Sequence, residues 1–252
     1  MSKPLIVANW KMNPGTLRQA KELFEATRNA AEKAKGVSLV VAPPTIFLRE
    51  LHARYRGRLI HFAAQDISEA SEGAHTGGTS LSQVKEAGAS YVIIGHSERR
   101  AAGETNDDTR KKVAAALAAK VTPILCVGER ERASSGEHLN VVREELRVAF
   151  ADVPPTRLSS VIVAYEPVWA IGGEEAMKPR DMHEMAIFIR KTLVGLYGEG
   201  ARSLKIIYGG ATTESNAPDM LRQGDVTGFL VGHVSLAPER FSVLLANLSK
   251  RT

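Results

Sequence analysis

Residues 161–173 read Val161-Ile162-Val163-Ala164-Tyr165-Glu166-Pro167-Val168-Trp169-Ala170-Ile171-Gly172-Gly173. Apolar or small side chains run unbroken from Val161 to Tyr165 and end on a carboxylate. Pro167 has no backbone N–H and cannot continue a ladder, so the extended segment stops there. An apolar run of this kind predicts a strand buried on both faces, as in a parallel sheet. Glu166 then stands where the strand leaves the core. Beyond it, Val168–Ile171 is a short apolar segment followed by two glycines, the composition of a loop that packs over something and has hinges. Taken alone, Glu166 is explained equally well as a solvated acid at a strand end. The other strand ends decide between these readings.

The same unit recurs along the chain. Short apolar runs predict strands at Leu5–Ala8, Leu39–Ala42, Ile60–Ala64, Tyr91–Ile94, Pro123–Val127, Val161–Tyr165, Lys205–Tyr208 and Gly228–Val231. Amphipathic stretches between them predict helices at Leu17–Ala34, Phe47–Arg54, Leu81–Ala87, Asp107–Ala119, Leu139–Phe150, Met182–Leu196, Ala217–Arg222 and Glu239–Leu248. Ser80 with Gln83 fits a capping box, Asn106 precedes two acids of a first turn, and Pro179 and Pro238 fall at early helical positions. No low-complexity linker divides the chain. Eight strand–helix units predict one domain over residues 1–252, a closed (β/α)8 barrel, because right-handed crossovers place helices outside parallel strands. An open doubly wound sheet is the alternative, but no glycine-rich dinucleotide fingerprint follows the first strand.

The chain of 252 residues carries a formal charge of +5. Its basic residues are scattered among acids and no nucleic-acid-binding signature occurs, so a nucleic-acid partner is disfavoured. A mildly positive surface also steers small anions. No apolar run approaches a membrane span, and nothing near Met1 reads as a signal peptide. The one cysteine, Cys126, excludes an internal disulfide, reads as a small buried hydrophobe in Ile124–Val127, and fits a reducing, cytoplasmic compartment.

In such a barrel the carboxyl ends of the strands share one mouth. Asn9 and Lys11 follow the first strand, Gly95-His96-Ser97-Glu98-Arg99-Arg100 the fourth, Glu166 the sixth, Gly209-Gly210 the seventh and Gly232-His233 the eighth. A carboxylate there can take a proton α to a carbonyl, while His96 and Lys11 supply donors where charge moves onto oxygen. Glycine-containing turns after the last two strands suit a phosphate held by backbone N–H groups. The histidines show no metal-ligand spacing, and no Walker loop or serine elbow occurs. These residues predict a proton-transfer enzyme, free of metal and cofactor, acting on a phosphorylated carbonyl compound.

Asn9-Trp10-Lys11-Met12, Gly95–Arg100, Ala164–Gly172 and Tyr208-Gly209-Gly210 resemble, in order and spacing along the whole chain, the signature segments of the triosephosphate isomerase family. The resemblance implies interconversion of dihydroxyacetone phosphate and glyceraldehyde 3-phosphate through an enediolate. By the same resemblance Glu166 is the base and His96 the electrophile. Lys11 is the cation near substrate oxygen and phosphate, Asn9 a donor beside it, and Glu98 a second carboxylate next to the site. The family itself is the standing illustration of a neutral histidine kept so by a helix N-terminus, and of a closing lid. Pro167 to Met177 (Pro167, Val168, Trp169, Ala170, Ile171, Gly172, Gly173, Glu174, Glu175, Ala176, Met177) matches that lid. The backbone of Gly172, Ala211, Gly232 and His233 matches the phosphate grip.

Four positions depart from the family's pattern. Ala211 stands for a serine. His233 stands for a second glycine, and its ring is expected to point away from the phosphate with only its N–H used. The lid tip carries Glu174 and Glu175. The loop around His75, Thr76, Gly77 and Gly78, which resembles the family's homodimer contact, has Gly78 where a glutamate pairs with the arginine matching Arg99. A homodimer through Thr76 is expected, without that ion pair. Two other functions remain open: isomerisation of a longer ketose phosphate on the same barrel, and a non-catalytic barrel that binds phosphorylated ligands.

Overall fold

The computed structural model describes residues 3–132, 136–170 and 176–250. Its strands are β1 (Leu5–Asn9), β2 (Ser38–Ala42), β3 (Ile60–Ala64), β4 (Tyr91–Ile94), β5 (Thr122–Val127), β6 (Ile162–Tyr165), β7 (Lys205–Tyr208) and β8 (Gly228–Val231). Each pairs in parallel with the next, and β8 pairs with β1, with Leu5 opposite Gly228 and Ala8 opposite Val231, which closes the barrel. The helices are α1 (Leu17–Lys33), α2 (Thr45–Arg54), α3 (Leu81–Glu86), α4 (Ser97–Ala101), α5 (Asn106–Ala118), α6 (Glu137–Ala149), α7 (Pro179–Tyr197), α8 (Ala217–Gln223) and α9 (Pro238–Ser249). The fold is a (β/α)8 barrel.

Side chains alternate across each strand, so every strand feeds two cores. In β6, Ile162 and Ala164 join an inner cluster with Val7, Val40, Ile93, Ile124 and Cys126. Val163 and Tyr165 join the outer cluster that packs under the helices. This is why β6 is apolar at every position. The same parity carries Glu166, next after Tyr165, to the inner side at the barrel mouth. Asn9 follows Leu5 and Val7 inward by the same rule.

Helix starts follow local chemistry. Ser80 and Gln83 form the reciprocal capping box, and Pro179 and Pro238 open α7 and α9. One start is corrected. The cap of α5 is Thr105, boxed with Asp108, and Asn106 is already its first helical residue. The Asn106 Oδ1 instead accepts from Arg100 Nη1 at 2.7 Å. Cys126 is fully buried in the inner cluster, and burial, reinforced by the charge of Glu166, pushes its thiol well up.

Candidate active site

At the mouth, Asn9, Lys11, His96, Glu166, Ala211, Gly232 and His233 line one cavity of about 390 Å³. That volume suits a small ligand. Glu166 is 2 % exposed. Its Oε1 lies 3.2 Å from His96 Nε2. Its Oε2 accepts the Ser97 N–H at 2.9 Å. Two groups separated by 70 positions thus face each other directly. A larger cavity, about 500 Å³, lies on the other side of Glu166, but Asn9, Lys11 and His96 do not reach it.

His96 follows Gly95, whose φ of +72° is a left-handed turn that takes the chain out of strand parity. A side chain there would crowd Arg100, Thr109 and the Cys126 carbonyl at 3.0–3.1 Å. The turn sets His96 as the cap of α4, where its Nδ1 accepts the Glu98 N–H at 3.2 Å. A nitrogen that accepts from a backbone amide carries no proton, so the ring is neutral and its hydrogen is on Nε2, the atom turned to Glu166.

Lys11 sits at φ 52°, a left-handed conformation that costs a non-glycine residue about 1–2 kcal/mol. Its N–H donates to Asn9 Oδ1 at 3.1 Å and its carbonyl accepts from Gln65 Nε2 at 2.8 Å. Gln65 also donates to the Ala42 carbonyl at 2.8 Å, tying the β1 loop to β2. The Lys11 Nζ donates to Glu98 Oε1 at 2.6 Å. Glu98 therefore does not line the cavity; it reaches it through Lys11 and the His96 backbone turn. Gly232 and His233 line the mouth just past β8. His233 is exposed.

The structure describes only part of the expected lid. Val168–Ala170 form a 3-10 turn, Ala176 is exposed and Met177 is buried. Ile171, Gly172, Gly173, Glu174 and Glu175 lie outside the described residues, and with them the phosphate contact expected at Gly172. Past β6 a latch of side chains forms: Trp169 Nε1 donates to Glu129 Oε1 at 2.8 Å, and Tyr165 OH donates to the same carboxylate at 2.8 and 3.0 Å. Burial, with the Glu129 charge beside it, holds the Tyr165 phenol protonated well beyond its usual range. Beside Met177, burial pushes the Tyr208 phenol up to about 12 against the opposing effect of the Met177 N–H. His75, Thr76, Gly77 and Gly78 form an exposed loop. Arg99 pairs within the chain, with Asp66 at 2.9 Å, and Asp66 also takes Lys112 at 2.6 Å.

Sequence reasoning missed Gln65 and Glu129. Both were findable by the rule that found Asn9 and Glu166, since Gln65 follows β3 directly and Glu129 lies one residue past Gly128 at the end of β5. Among the described residues, no cluster of three or more His, Cys, Asp or Glu is arranged to hold a metal, and no helix is long and apolar enough to cross a membrane.

Comparison with known proteins agrees with this geometry. The sequence pattern of the family described as "Triosephosphate isomerase" matches residues 4–248. A triosephosphate isomerase of Endomicrobium trichonymphae is 39% identical over 248 residues, covering 97% of this chain and 98% of the relative. Those of Roseiflexus sp. (strain RS-1) and Granulibacter bethesdensis are each 39% identical, over 244 and 242 residues, with 95–96% of this chain and 96% of each relative covered. With the family pattern matched along nearly its whole length, the chain belongs to the triosephosphate isomerase family.

Proposed function

We infer that the protein interconverts dihydroxyacetone phosphate and D-glyceraldehyde 3-phosphate by proton transfer through an enediolate, in the cytoplasm, as a glycolytic and gluconeogenic enzyme. The observation that carries this is the buried Glu166 carboxylate facing the Nε2–H of a neutral His96 at 3.2 Å in one cavity with Lys11. Glu166 removes a proton from the carbon next to the carbonyl. His96 Nε2–H and the Lys11 ammonium donate to the oxygens on which charge collects, and Asn9 holds the Lys11 loop and donates beside it. A positioned base contributes about 10²–10⁴-fold and one aimed donor about 3–4 kcal/mol. Before the chemistry, the carboxylate must leave the Ser97 N–H and swing to the substrate carbon.

The phosphate is gripped by backbone N–H groups of Ala211, Gly232 and His233, joined by Gly172 when the lid over Pro167–Met177 closes. The His233 ring turns away, because bulk toward the phosphate would obstruct it. The Trp169–Glu129–Tyr165 bonds must break or shift for the lid to move. Glu98 steers Lys11. The subunits pair as a homodimer through the loop around Thr76, with Arg99 already satisfied by Asp66 and needing no partner residue at Gly78. The test is Glu166→Asp, which withdraws the carboxylate by one methylene. The turnover number should fall steeply while KM for the three-carbon substrate stays near that of the parent. Parent-like turnover would defeat the assignment of the base, and a higher kcat/KM on a four-carbon ketose phosphate would move the substrate class.

A further inference from the structure

Glu166 has a second face. Behind it, away from His96 and Lys11, lies the cavity of about 500 Å³, bounded on the base's side by Ser97, Gly128 and Glu166 itself. Into its floor α6 places Glu145, which is buried although it stands in a charged run. Its Oε2 accepts the Gly128 N–H at 2.8 Å. Its Oε1 lies 3.6 Å from Arg100 Nε. That arginine is shared: it donates to the Gly95 carbonyl at 2.8 Å, to Asn106 Oδ1 at 2.7 Å and to the Cys126 carbonyl at 3.3 Å. Its charge is only part of Glu145's surroundings.

Gly128 is pressed onto the base. A Cβ built there would stand 1.8 Å from the Glu166 carbonyl oxygen, so only glycine fits. The next bond along, Glu166 N–H to the Val127 carbonyl at 2.8 Å, fixes the same peptide. The Glu145 carboxylate therefore holds the surface against which the backbone of Glu166 rests. Facing Glu145 are Arg100 from α4, Glu129 two residues past β5 and Glu166 just past β6, with Arg130, Glu131, Glu137 and His138 around the same cavity. Burial pushes the Glu145 carboxyl up to about 7; the charges of Glu166 and Glu129 add to this, and Arg100 and the Gly128 N–H oppose it.

We propose that Glu145 is a positioning residue for Glu166: it holds the Gly128 peptide against the base, and the charge it gains or loses behind that carboxylate sets how strongly Glu166 takes a proton. The proposal rests on Glu166 being the base. The two charges interact, since Glu166 is among the groups that raise the Glu145 carboxyl. An ionised Glu145 disfavours a second negative charge and makes Glu166 the stronger base; a neutral Glu145 makes it the weaker one.

Glu145→Gln keeps an oxygen for the Gly128 N–H and removes the charge. Between about pH 6 and pH 8 the parent's kcat should rise by roughly threefold, the size a stronger base gives. The variant should stay on the lower plateau, with KM unchanged below the step. The substrate phosphate titrates equally in both proteins and cancels in the difference. Superimposable profiles would overturn the proposal. Independently of turnover and of that variant's folding, the ¹³C resonance of the Glu145 carboxyl should titrate near neutrality, and its midpoint should fall in Glu166→Gln; a midpoint that does not move would also overturn it. An inactive parent with coupled carboxyls would instead sink the assignment of the base and leave the pairing standing.

Discussion

Replacing Gly209 by alanine tests whether the position of the Glu166 side chain sets the rate. A Cβ on Gly209 would stand 2.8 Å from Glu166 Cγ and 3.2 Å from the Tyr165 carbonyl oxygen. Carbon atoms rest at about 3.5–4.0 Å, so the methyl must push Cγ by roughly 1 Å. The Tyr165 carbonyl must also give, by a few tenths of an ångström. Gly209 is not among the residues with positive φ, so alanine is not strained there. Its N–H already donates to the Tyr165 carbonyl at 2.8 Å, so the phosphate loses no donor. A reacting group moved by about 1 Å costs on the order of 10²-fold. In a coupled spectrophotometric assay, kcat should therefore drop by about 10²-fold with KM within about threefold, since the main displacement is of the reacting carboxylate. Circular dichroism melting should confirm the fold. A folded Gly209→Ala enzyme with parent-like kcat, or one that loses KM and keeps kcat, would refute the reasoning.

The folded Glu145 carboxyl sits at about 7 against an ordinary 4.5, so between those values the folded state binds more protons than the unfolded one. Stability from this group is thus highest near the acid end of the window and is lost as pH rises through it, by roughly 3 kcal/mol at most. Urea unfolding of Glu145→Gln should show a gain over the parent at pH 8 that vanishes near pH 5; an equal gain at both would contradict it. Gln65→Ala removes the donor to the Lys11 and Ala42 carbonyls. It should cost about 1–3 kcal/mol in denaturant and raise KM by roughly tenfold as Lys11 leaves its left-handed conformation; an unchanged KM would free Lys11 from that dependence. Sedimentation of the parent should give a dimer, and Thr76→Arg in the exposed loop should give a monomer; a parent that runs as a monomer would remove the interface.

Much of this was legible because the barrel writes itself with period two. β6 is apolar at every position since Ile162 and Ala164 fill the interior while Val163 and Tyr165 pack under helices. The parity that buries them also aims Glu166 and Asn9 inward, so strand ends were enough to assemble most of the site. The five-residue α4 is missing from the predicted helices, because five residues are too few to show a period. Glu145 was hidden for a different reason. In Arg143-Glu144-Glu145-Leu146 the two acids look alike, and Glu144 is indeed exposed and paired with Arg147 at 2.7 Å. Only the packing of α6 on the barrel separates a solvated acid from a buried one. The Trp169–Glu129–Tyr165 latch was hidden likewise, since its three members come from two loops and a strand that meet only when the barrel closes.

The central claim is that Glu166 carries a proton between substrate and solvent. Dihydroxyacetone phosphate incubated in deuterium oxide with the parent should gain deuterium at the carbon bearing the hydroxyl, followed by proton NMR, because the base exchanges its proton while the enediolate is bound. Glu166→Gln, which keeps the shape and loses the basic oxygen, should bind the same substrate and exchange no faster than buffer. Exchange at the parent's rate in that variant, or a parent that binds substrate and never exchanges it, would contradict the account.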